Sequence, residues 1–471
     1  MIYVHWIVLT IYTIIAIVTM LTVLLEHRQP AKTIAWILVL TFMPIIGIII
    51  YFFFGRRTRR DKHIWQHSLD QLTKRSMVEF VEQENLQVPF QYKELISLFA
   101  NQNLSLPFKN NITEIYTSGY DFFFSLISSI SKAEKHIHIV TYIIEDDPLG
   151  RLIKDTLIDK AHQGIEVRLL YDDVGSWKAS NRFFEEMREE GIEVHAFMPV
   201  RFPAFTGKVN YRNHRKLIII DGITGFIGGM NIAMRYIKGS TNWRDTHIKI
   251  NGNAVYGIQR EFLVDWFFAD QTLISHSKYY PPINIYPNNT IIQIVTSSPT
   301  SQWSEIEQGY LKVILSAKKY IYMESPYFLP TEPILSALCT AALSGVDIRI
   351  IVPQKSDSKL VGLASNTYLR QVTKGGVKIL LYTNGFNHSK LLVSDDNIST
   401  IGSTNIDFRS FENNFEGNAF LYDKQIAIHI KQIFLKDSLH SVSFEDYRKN
   451  KKISFIFKLW ESIVRLLSPL L

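Results

Sequence analysis

The stretch NHRKLIIIDGITGFIGGMNIA, from Asn213 to Ala233, places a histidine, a lysine, an aspartate, paired glycines and an asparagine inside an otherwise apolar segment. A second stretch, NHSKLLVSDDNISTIGSTNID, begins at Asn387 and carries the same residue types at nearly identical spacing. The packing of a single buried strand does not explain a polar pattern that recurs in this way. The two stretches therefore indicate a duplicated unit that carries chemistry.

The predicted elements around the two motifs also repeat. Short β-rich runs alternate with amphipathic helical stretches, and GIEVRLL at Gly164 and EGIEVHAF at Glu190 return as GVDIRII at Gly345 and GGVKILLY at Gly375. Such alternation predicts an α/β fold. Two duplicated α/β lobes can pack around a pseudo-twofold axis and bring equivalent strand ends together. We therefore expect one site built from both copies.

Composition narrows the class of partner. The chain has 471 residues and a formal net charge of +7, which favours an anionic partner such as lipid or nucleic acid. Its one cysteine, Cys339, excludes an internal disulfide framework and is typical of a reducing compartment.

Two apolar runs near the N-terminus decide between these partners. Ile7–Leu25 and Ile34–Phe54 contain no charged residue, and each is long enough to cross a hydrocarbon core of about 30 Å at about 1.5 Å per residue. They predict a transmembrane hairpin. Arg28 and Lys32 are the only Lys or Arg between the runs, whereas GRRTRRDK follows at 55–62, so the positive-inside rule predicts cytoplasmic lobes.

The predicted organisation has five segments. They are a transmembrane hairpin at 1–60, with spans at about 7–25 and 34–54, a helical connector at 61–110, a first lobe at 111–285, a second lobe at 286–447, and a basic segment with a C-terminal amphipathic helix at 448–471.

Each motif presents groups that suit a phosphodiester. Histidine and lysine stand two residues apart, and alternate residues of a strand share a face. Lysine and asparagine side chains can hold the non-bridging oxygens, while one imidazole attacks phosphorus and the other protonates the leaving alkoxide. These groups fill the roles of a metal, so we expect no metal and no cofactor. The candidate catalytic residues are His214, Lys216, Asp221, His388, Lys390 and Asp395, of which the two aspartates are expected to hold the motif strands, with Asn231, Asn405, Gly229 and Ser403 in support.

This pattern resembles the paired H-x-K-x4-D-x6-G-[SG]-x-N motifs of the phospholipase D superfamily. The whole chain is similar to the bacterial cardiolipin synthases of that superfamily, from RQPAKTIAW in the hairpin to the NHRK and NHSK openings and ESPYFLP before the second motif. The resemblance implies phospholipase D-like lobes, a phosphatidyl-histidine intermediate, and carboxylates at Asp245 and Glu416 that orient the histidines. By similarity to superfamily members, His214 is the nucleophile and His388 the general acid and then base. Gly229 stands where many superfamily members have serine, which makes the two halves unequal.

The resemblance implies phosphatidyl transfer at a bacterial cell membrane. A cardiolipin synthase moves the phosphatidyl group of one phosphatidylglycerol to another and releases glycerol, so the expected partners are phosphatidylglycerol and anionic membrane lipid, and no nucleic acid. The same chemistry serves a membrane-bound phospholipase D that yields phosphatidic acid, or a nuclease, and the hairpin argues against the nuclease. An inactive membrane scaffold is a further alternative, against which the two intact motifs argue.

Two flanking segments concern the lipid. SPYFLP, at Ser325–Pro330, is interpreted either as a turn with a packed aromatic ring or as a substrate-lining segment. In KKISFIFKLWESIVRLLSPLL a broad apolar face that includes Trp460 predicts a helix that lies in the membrane interface or docks on the protein's own surface. The polar positions of this helix are Ser454, Lys458, Glu461, Arg465 and Ser468.

Overall fold

The computed structural model describes residues 2–25, 30–51, 87–103, 105–200, 210–238, 242–274, 276–283, 288, 290–449, 454–466 and 468. The chain divides into two compact units. One takes Met1–Ile64 and Val200–Tyr211, and the other takes Trp65–Pro199 and Arg212–Leu471. Both motifs and the C-terminal helix lie in the second unit.

The N-terminal unit contains helices α1 (Ile2–Leu25), α2 (Pro30–Phe42) and α3 (Pro44–Ile50). The second predicted span, 34–54, is not one continuous helix, because Pro44 starts a new helix and Met43 before it adopts φ −128° and ψ 64°. Within the described parts of the chain, no helix combines the length and the apolar character needed to cross a membrane. Residues 52–54 and the basic run 55–62 lie outside the described residues.

The predicted connector, 61–110, is described only in its second part, since residues 61–86 lie outside the described residues. It contains helix α4 (Phe90–Asn103) and strand β1 (Pro107–Phe108). Both pack on the second lobe. The ring centroids of Phe99 and Phe420 lie 4.6 Å apart, and β1 pairs with the strand that carries Gln293. The connector is therefore tied to the lobe that lies further along the chain.

The first lobe is a mixed sheet with helices packed on it. Its elements are β2 (Asn111–Tyr116), α5 (Gly119–Ser131), β3 (His136–Thr141), α6 (Pro148–His162), β4 (Glu166–Asp172), α7 (Asn181–Glu189), β5 (Glu193–Phe197), β6 (Arg212–Asn213), β7 (Leu217–Ile220), β8 (Thr224–Gly228), β9 (Trp243–Arg244), β10 (His247–Gly252) and α8 (Val255–Asp270). The strand order is β2-β10-β8-β7-β3-β4-β5. β3, β4 and β5 run parallel, and all four residues of β7 are buried, as the apolar run LIII requires of a central strand.

The second lobe repeats this arrangement. Its elements are β11 (Ile291–Ser297), α9 (Glu305–Ser316), β12 (Tyr320–Glu324), β13 (Phe328–Leu329), α10 (Glu332–Leu343), β14 (Asp347–Pro353), α11 (Lys359–Lys374), β15 (Lys378–Tyr382), β16 (Phe386–Asn387), β17 (Leu391–Ser394), β18 (Ile398–Gly402), β19 (Ile406–Asp407), α12 (Phe408–Glu412), β20 (Asn414–Tyr422), α13 (Lys424–Ser438), β21 (Ser441–Ser443) and α14 (Phe444–Lys449). The order β11-β20-β18-β17-β12-β14-β15 matches the first sheet strand for strand, with β1 and β21 added at the edges. The predicted duplication of an α/β unit is confirmed.

The two lobes exchange short strands in a reciprocal manner. β6 of the first lobe pairs in parallel with β20 of the second, and β16 of the second pairs in parallel with β9 of the first. A common hydrophobic core joins the two sheets and includes Trp266 on α8 and Phe434 on α13, both fully buried. Because β6 and β16 lie directly before the two motifs, the exchange brings both motifs to the junction between the lobes.

The chain ends in helix α15 (Phe455–Arg465), which packs on α11. Part of the predicted basic segment, 450–453, lies outside the described residues.

Candidate active site

A backbone hydrogen bond to the opposite lobe places the histidine of each motif. The N–H of His214 donates to the carbonyl of Phe415 at 2.9 Å, and the N–H of His388 donates to the carbonyl of Arg244 at 2.6 Å. The three residues from each histidine to its lysine are not strand residues, and β7 and β17 begin directly after the lysines. The prediction of a strand here is wrong, because the backbone of each histidine bonds to the opposite lobe.

A buried carboxylate from the opposite lobe holds each histidine. Nδ1 of His214 lies 3.0 and 3.1 Å from the two carboxylate oxygens of Glu416, and Nδ1 of His388 lies 2.6 Å from Oδ2 of Asp245. A carboxylate at Nδ1 fixes the orientation of the ring and leaves Nε2 as the reactive nitrogen. The resemblance implied these two carboxylates. The structure adds that each one contacts the histidine of the other copy.

Both histidines line one cavity of about 460 Å³. The ring of Tyr142 stands edge-on to His214 at 4.9 Å between centroids, and the ring of Trp243 lies 5.2 Å from that of His388. The sequence motifs do not predict these two aromatic rings at the cavity, since neither Tyr142 nor Trp243 belongs to a repeated motif. The SPYFLP segment contributes Tyr327, whose side chain lines the same cavity.

The two motif lysines are more deeply buried than the histidines. Lys216 and Lys390 each donate a hydrogen bond to the backbone carbonyl of the histidine in their own motif. Burial lowers the pKa of Lys216 to about 7, with a further contribution from the charge of Lys390, and burial lowers the pKa of Lys390 to about 8. A buried ammonium gains stability when an anion approaches, so both lysines are suited to hold a phosphate group.

Burial also keeps both imidazoles neutral near neutral pH. It lowers the pKa of His214 to about 4, although the Glu416 carboxylate opposes the shift. Burial and the charge of Lys390 lower the pKa of His388 to about 3. Burial alone would raise the pKa of Asp245, but the charge of Lys390 and the hydrogen bond with His388 hold it below its usual range. A neutral imidazole beside an ionised carboxylate is the form that attacks phosphorus.

The motif aspartates tie each lobe's sheet together. Oδ1 of Asp221 accepts hydrogen bonds from the N–H groups of Lys135 at 2.7 Å and His136 at 2.9 Å, and Oδ2 accepts one from Glu134 at 2.9 Å. Asp395 accepts the three equivalent bonds from residues 318–320, at 2.6 to 2.9 Å. Each aspartate thus holds the turn after its motif strand against the start of β3 or β12.

The glycine and serine that distinguish the halves contact the carboxylates. A Cβ at Gly229 would lie 2.1 Å from Oδ1 of Asp245, so the first half has no room for a side chain there. In the second half, the hydroxyl of Ser403 donates a hydrogen bond to Oε2 of Glu416. The short aspartate therefore occurs with glycine and the longer glutamate with serine.

The two motif asparagines have different surroundings, although both line the cavity. The side-chain oxygen of Asn231 accepts a hydrogen bond from the N–H of Ile143 at 3.1 Å, and its amide donates to the hydroxyl of Tyr236 at 2.8 Å. Asn405 is held by its backbone, which donates to Oγ of Ser410 at 3.2 Å. The side chain of Asn231 is already hydrogen-bonded within the protein, so the predicted contact with a substrate oxygen suits Asn405 better.

The asparagine that precedes each motif histidine also belongs to the site, although it was not among the predicted site residues. Nδ2 of Asn213 donates to Asp265 at 2.9 Å, and Nδ2 of Asn387 donates to Glu324 at 3.0 Å. Each side-chain oxygen also accepts the backbone N–H two residues further on, at 3.1 and 2.9 Å, which turns the chain at the histidine. The recurrence of asparagine in NHRK and NHSK was the signal that could have identified them.

Known proteins match both the fold and the motifs. A family model described as cardiolipin synthase, PLD-like domain, matches residues 126–266 and 310–438, and a phospholipase D-nuclease N-terminal model matches residues 8–56. The phosphatidylserine synthase of Haemophilus influenzae superimposes with a TM-score of 0.62 at 17% identity, over 81% of this chain and 100% of that one. That likeness shows a shared fold.

Sequence relatives extend over the whole chain. The major cardiolipin synthase ClsA of Bacillus subtilis is 39% identical over 99% of both chains. The cardiolipin synthase of Geobacillus kaustophilus is 41% identical over 96% of this chain and 91% of that one, and a Listeria monocytogenes cardiolipin synthase is 40% identical over 96% of both. Identity at this level along nearly the full length means that the chain belongs to the family of bacterial cardiolipin synthases of the phospholipase D superfamily.

Proposed function

We propose that this protein transfers the phosphatidyl group of one phosphatidylglycerol to a glycerol hydroxyl of a second, giving cardiolipin and free glycerol. Membership of the family makes the chain a phosphatidyltransferase. The observation that carries the proposal is the junction between the lobes, where His214 and His388 line one cavity and each is paired with a carboxylate. One phosphodiester replaces another, so the reaction needs no nucleotide.

The first half of the reaction forms the covalent intermediate. Nε2 of His214 attacks phosphorus, a P–N bond forms, and the P–O bond to the headgroup glycerol breaks. His388, as the imidazolium, gives its proton to the departing glycerol oxygen. Lys216 and Lys390 stabilise the charge on the non-bridging oxygens in the transition state. Glu416 stabilises the positive charge that His214 acquires.

The second half reverses these roles. The neutral His388 accepts the proton of a hydroxyl on the second phosphatidylglycerol, whose oxygen attacks phosphorus as the P–N bond breaks. His214 leaves as the neutral imidazole, and His388 is again protonated, so protons balance over the cycle. A cavity that keeps water from the intermediate favours transfer over hydrolysis.

We also propose that residues 7–25 and 34–54 anchor the chain in the bacterial cell membrane, with the first lobe at 111–285 and the second at 286–447 on the cytoplasmic side. The absence of charge in both runs supports the anchor, as does the match of the N-terminal family model to residues 8–56. The interruption at Met43 falls within the second run and is compatible with a proline-kinked span.

The deciding experiment is an analysis of lipid products. Purified full-length protein is incubated with phosphatidylglycerol vesicles, and lipids and released glycerol are quantified. We expect cardiolipin and glycerol in equal amounts. Phosphatidic acid as the main product would identify a hydrolase, and the absence of any new lipid with the intact protein would favour the inactive scaffold.

A further inference from the structure

The C-terminal helix α15 packs on the protein through the side that carries Glu461 and Val464. Glu461 is 0% exposed, and its carboxylate accepts hydrogen bonds from Nδ2 of Asn366 at 3.0 Å and from Arg370, both on α11. Val464 is buried beside it. A buried carboxylate with two partners on one neighbouring helix fixes the rotation of α15 about its own axis, because no other face of the helix can meet those partners. The sequence alternative of docking on the protein's own surface is thus observed, through the side that carries Glu461 and Val464.

The opposite side of α15 is exposed and apolar. Phe455, Leu459, Ile463 and Leu466 follow one another at spacings of four, four and three, which places them in one row along the helix. They are 79%, 51%, 45% and 72% exposed. Single exposed apolar side chains are ordinary on protein surfaces, but a row along a whole helix marks a contact surface. An ordinary surface helix of a soluble protein has the opposite arrangement, with its apolar side chains against the core and its charged side chains in water.

Basic and aromatic residues border this row. Lys458 and Arg465 are separated by seven residues, and so lie along one edge of the helix. Trp460 is exposed, at 51%. Basic side chains beside an apolar row, with an aromatic ring nearby, are the composition of helices that lie in the boundary between headgroups and acyl chains. A second copy of the same basic surface would not neutralise Lys458 and Arg465, whereas anionic headgroups would.

The helix stands next to the active site. A cavity of about 440 Å³ lies between α11, α14 and α15 and is lined by Phe457 of the helix. Ser358 and Val361, at the start of α11, line both this cavity and the one that contains the two histidines. The helix that carries the exposed row therefore lines a cavity that adjoins the catalytic one at the start of α11.

We propose that α15 seats this side of the catalytic lobes on an anionic lipid bilayer, with the row Phe455, Leu459, Ile463 and Leu466 buried at the headgroup boundary. The inference rests on the proposed function in one respect, which is that a lipid substrate must pass from the bilayer to the histidines. The contacts of Glu461 with α11 hold the helix at a set angle, so the bilayer meets the second lobe in a defined orientation.

The direct test measures contact between α15 and acyl chains in the full-length protein. Cys339→Ala provides a cysteine-free background, into which Ile463→Cys is introduced and labelled with bimane. Leu439→Cys is the matched control, since Leu439 is an exposed leucine, at 83%, just after α13. Each protein is reconstituted into phosphatidylglycerol and phosphatidylethanolamine vesicles, with or without brominated acyl chains.

We expect brominated lipid to quench the label at position 463 about twofold, as contact with acyl chains requires, and to leave position 439 unchanged. Absence of quenching at 463 would overturn the proposal, and so would equal quenching at both positions. Cross-linking of position 463 between two chains without quenching would show that a second copy covers the row. This readout does not depend on turnover, so an inactive protein would refute the proposed function alone.

Activity provides the second readout. Leu459→Glu with Ile463→Glu places acidic side chains in the row, and Leu439→Glu is the control. We expect cardiolipin formation on vesicles to fall about tenfold or more, while formation in detergent micelles stays at the parent level, because micelles deliver lipid without a planar surface. An equal loss in vesicles and micelles, or no loss in either, would contradict an interfacial role.

Discussion

At the scale of single residues, the proposed mechanism makes His214 and His388 one catalytic unit, since each half-reaction needs both. We expect His214→Ala and His388→Ala each to lower kcat by roughly 10³-fold or more, and the double variant to be hardly worse than either. Initial rates of cardiolipin formation measure this. The control is His162→Ala, which removes an exposed histidine paired with Glu190, and it should keep full activity.

The trapped intermediate separates the two roles. With phosphate-labelled phosphatidylglycerol, the His388→Ala protein should carry label on His214 after an acid-free quench and peptide mapping. Label on His388 in the His214→Ala protein, with none on His214 in the reverse variant, would exchange the nucleophile and the acid.

The pH dependence follows from the lowered histidine pKa values. The proposed mechanism needs one neutral and one protonated imidazole, yet the pKa of His214 is lowered to about 4 and that of His388 to about 3. A bound phosphodiester anion favours the imidazolium and raises both pKa values. We therefore expect a bell-shaped profile for kcat, with both limbs at higher pH than those of kcat/KM, which reports the free enzyme. Superimposable profiles would show that the substrate's charge does not set the protonation state.

Gly229 tests how closely the carboxylate must fit. Gly229→Ser should lower kcat by roughly tenfold to 10²-fold, because the new Cβ would displace Asp245 and with it the ring of His388. Ser403→Gly in the second half is the matched variant. It removes a hydrogen bond to Glu416 without a clash, and we expect a smaller loss. Parent-level activity for Gly229→Ser would mean that Asp245 does not position the histidine.

At the scale of elements, the motif aspartates act on stability. Asp395 adopts φ 53° and accepts three backbone hydrogen bonds. Asp395→Ala should lower the free energy of unfolding by about 2–4 kcal/mol, as three donors lose their acceptor and alanine tolerates this backbone poorly. Thermal unfolding and kcat of the folded fraction measure the two effects. Asp395→Asn should lose less stability, and a large fall in kcat at unchanged stability would assign the residue to catalysis.

The regular elements were more predictable than the segments that carry the chemistry. Central strands such as β7 follow from apolar runs such as LIII, since burial on both faces of a sheet requires continuous hydrophobicity. The motif segments at His214 and His388 were predicted as strands, but the backbone N–H groups of both histidines bond to the other lobe. A local sequence pattern contains no information on partners so far along the chain. The docking of α15 by Glu461 was also unpredictable, because periodicity shows that a helix has two faces and not which one meets the protein.

At the scale of the whole molecule, the sequence predicted one site made from two copies. It did not predict that His214 pairs with Glu416 of the other copy. Repetition in sequence indicates equivalent positions. Whether a carboxylate serves its own copy or the other depends on how the lobes pack, which is a property of surfaces distributed over the whole chain.

Membrane orientation is the prediction that belongs to this scale. In the Cys339→Ala background, a cysteine at Leu439 should resist a membrane-impermeant maleimide in intact cells and react once cells are opened. Arg28→Cys, in the loop between the apolar runs, should react in intact cells and serves as the control. Labelling of position 439 from outside would reverse the orientation that the basic run at 55–62 predicts.

The exchange of carboxylates between lobes bears on ancestry. A single primordial lobe would have possessed a histidine whose Nδ1 had no carboxylate, unless two identical chains met face to face. Two identical lobes that associated face to face would therefore have formed a complete site before their genes were fused. In a fused chain the two halves can carry different residues at equivalent positions. Here Asp245 occurs with Gly229 in one half, and Glu416 occurs with Ser403 in the other.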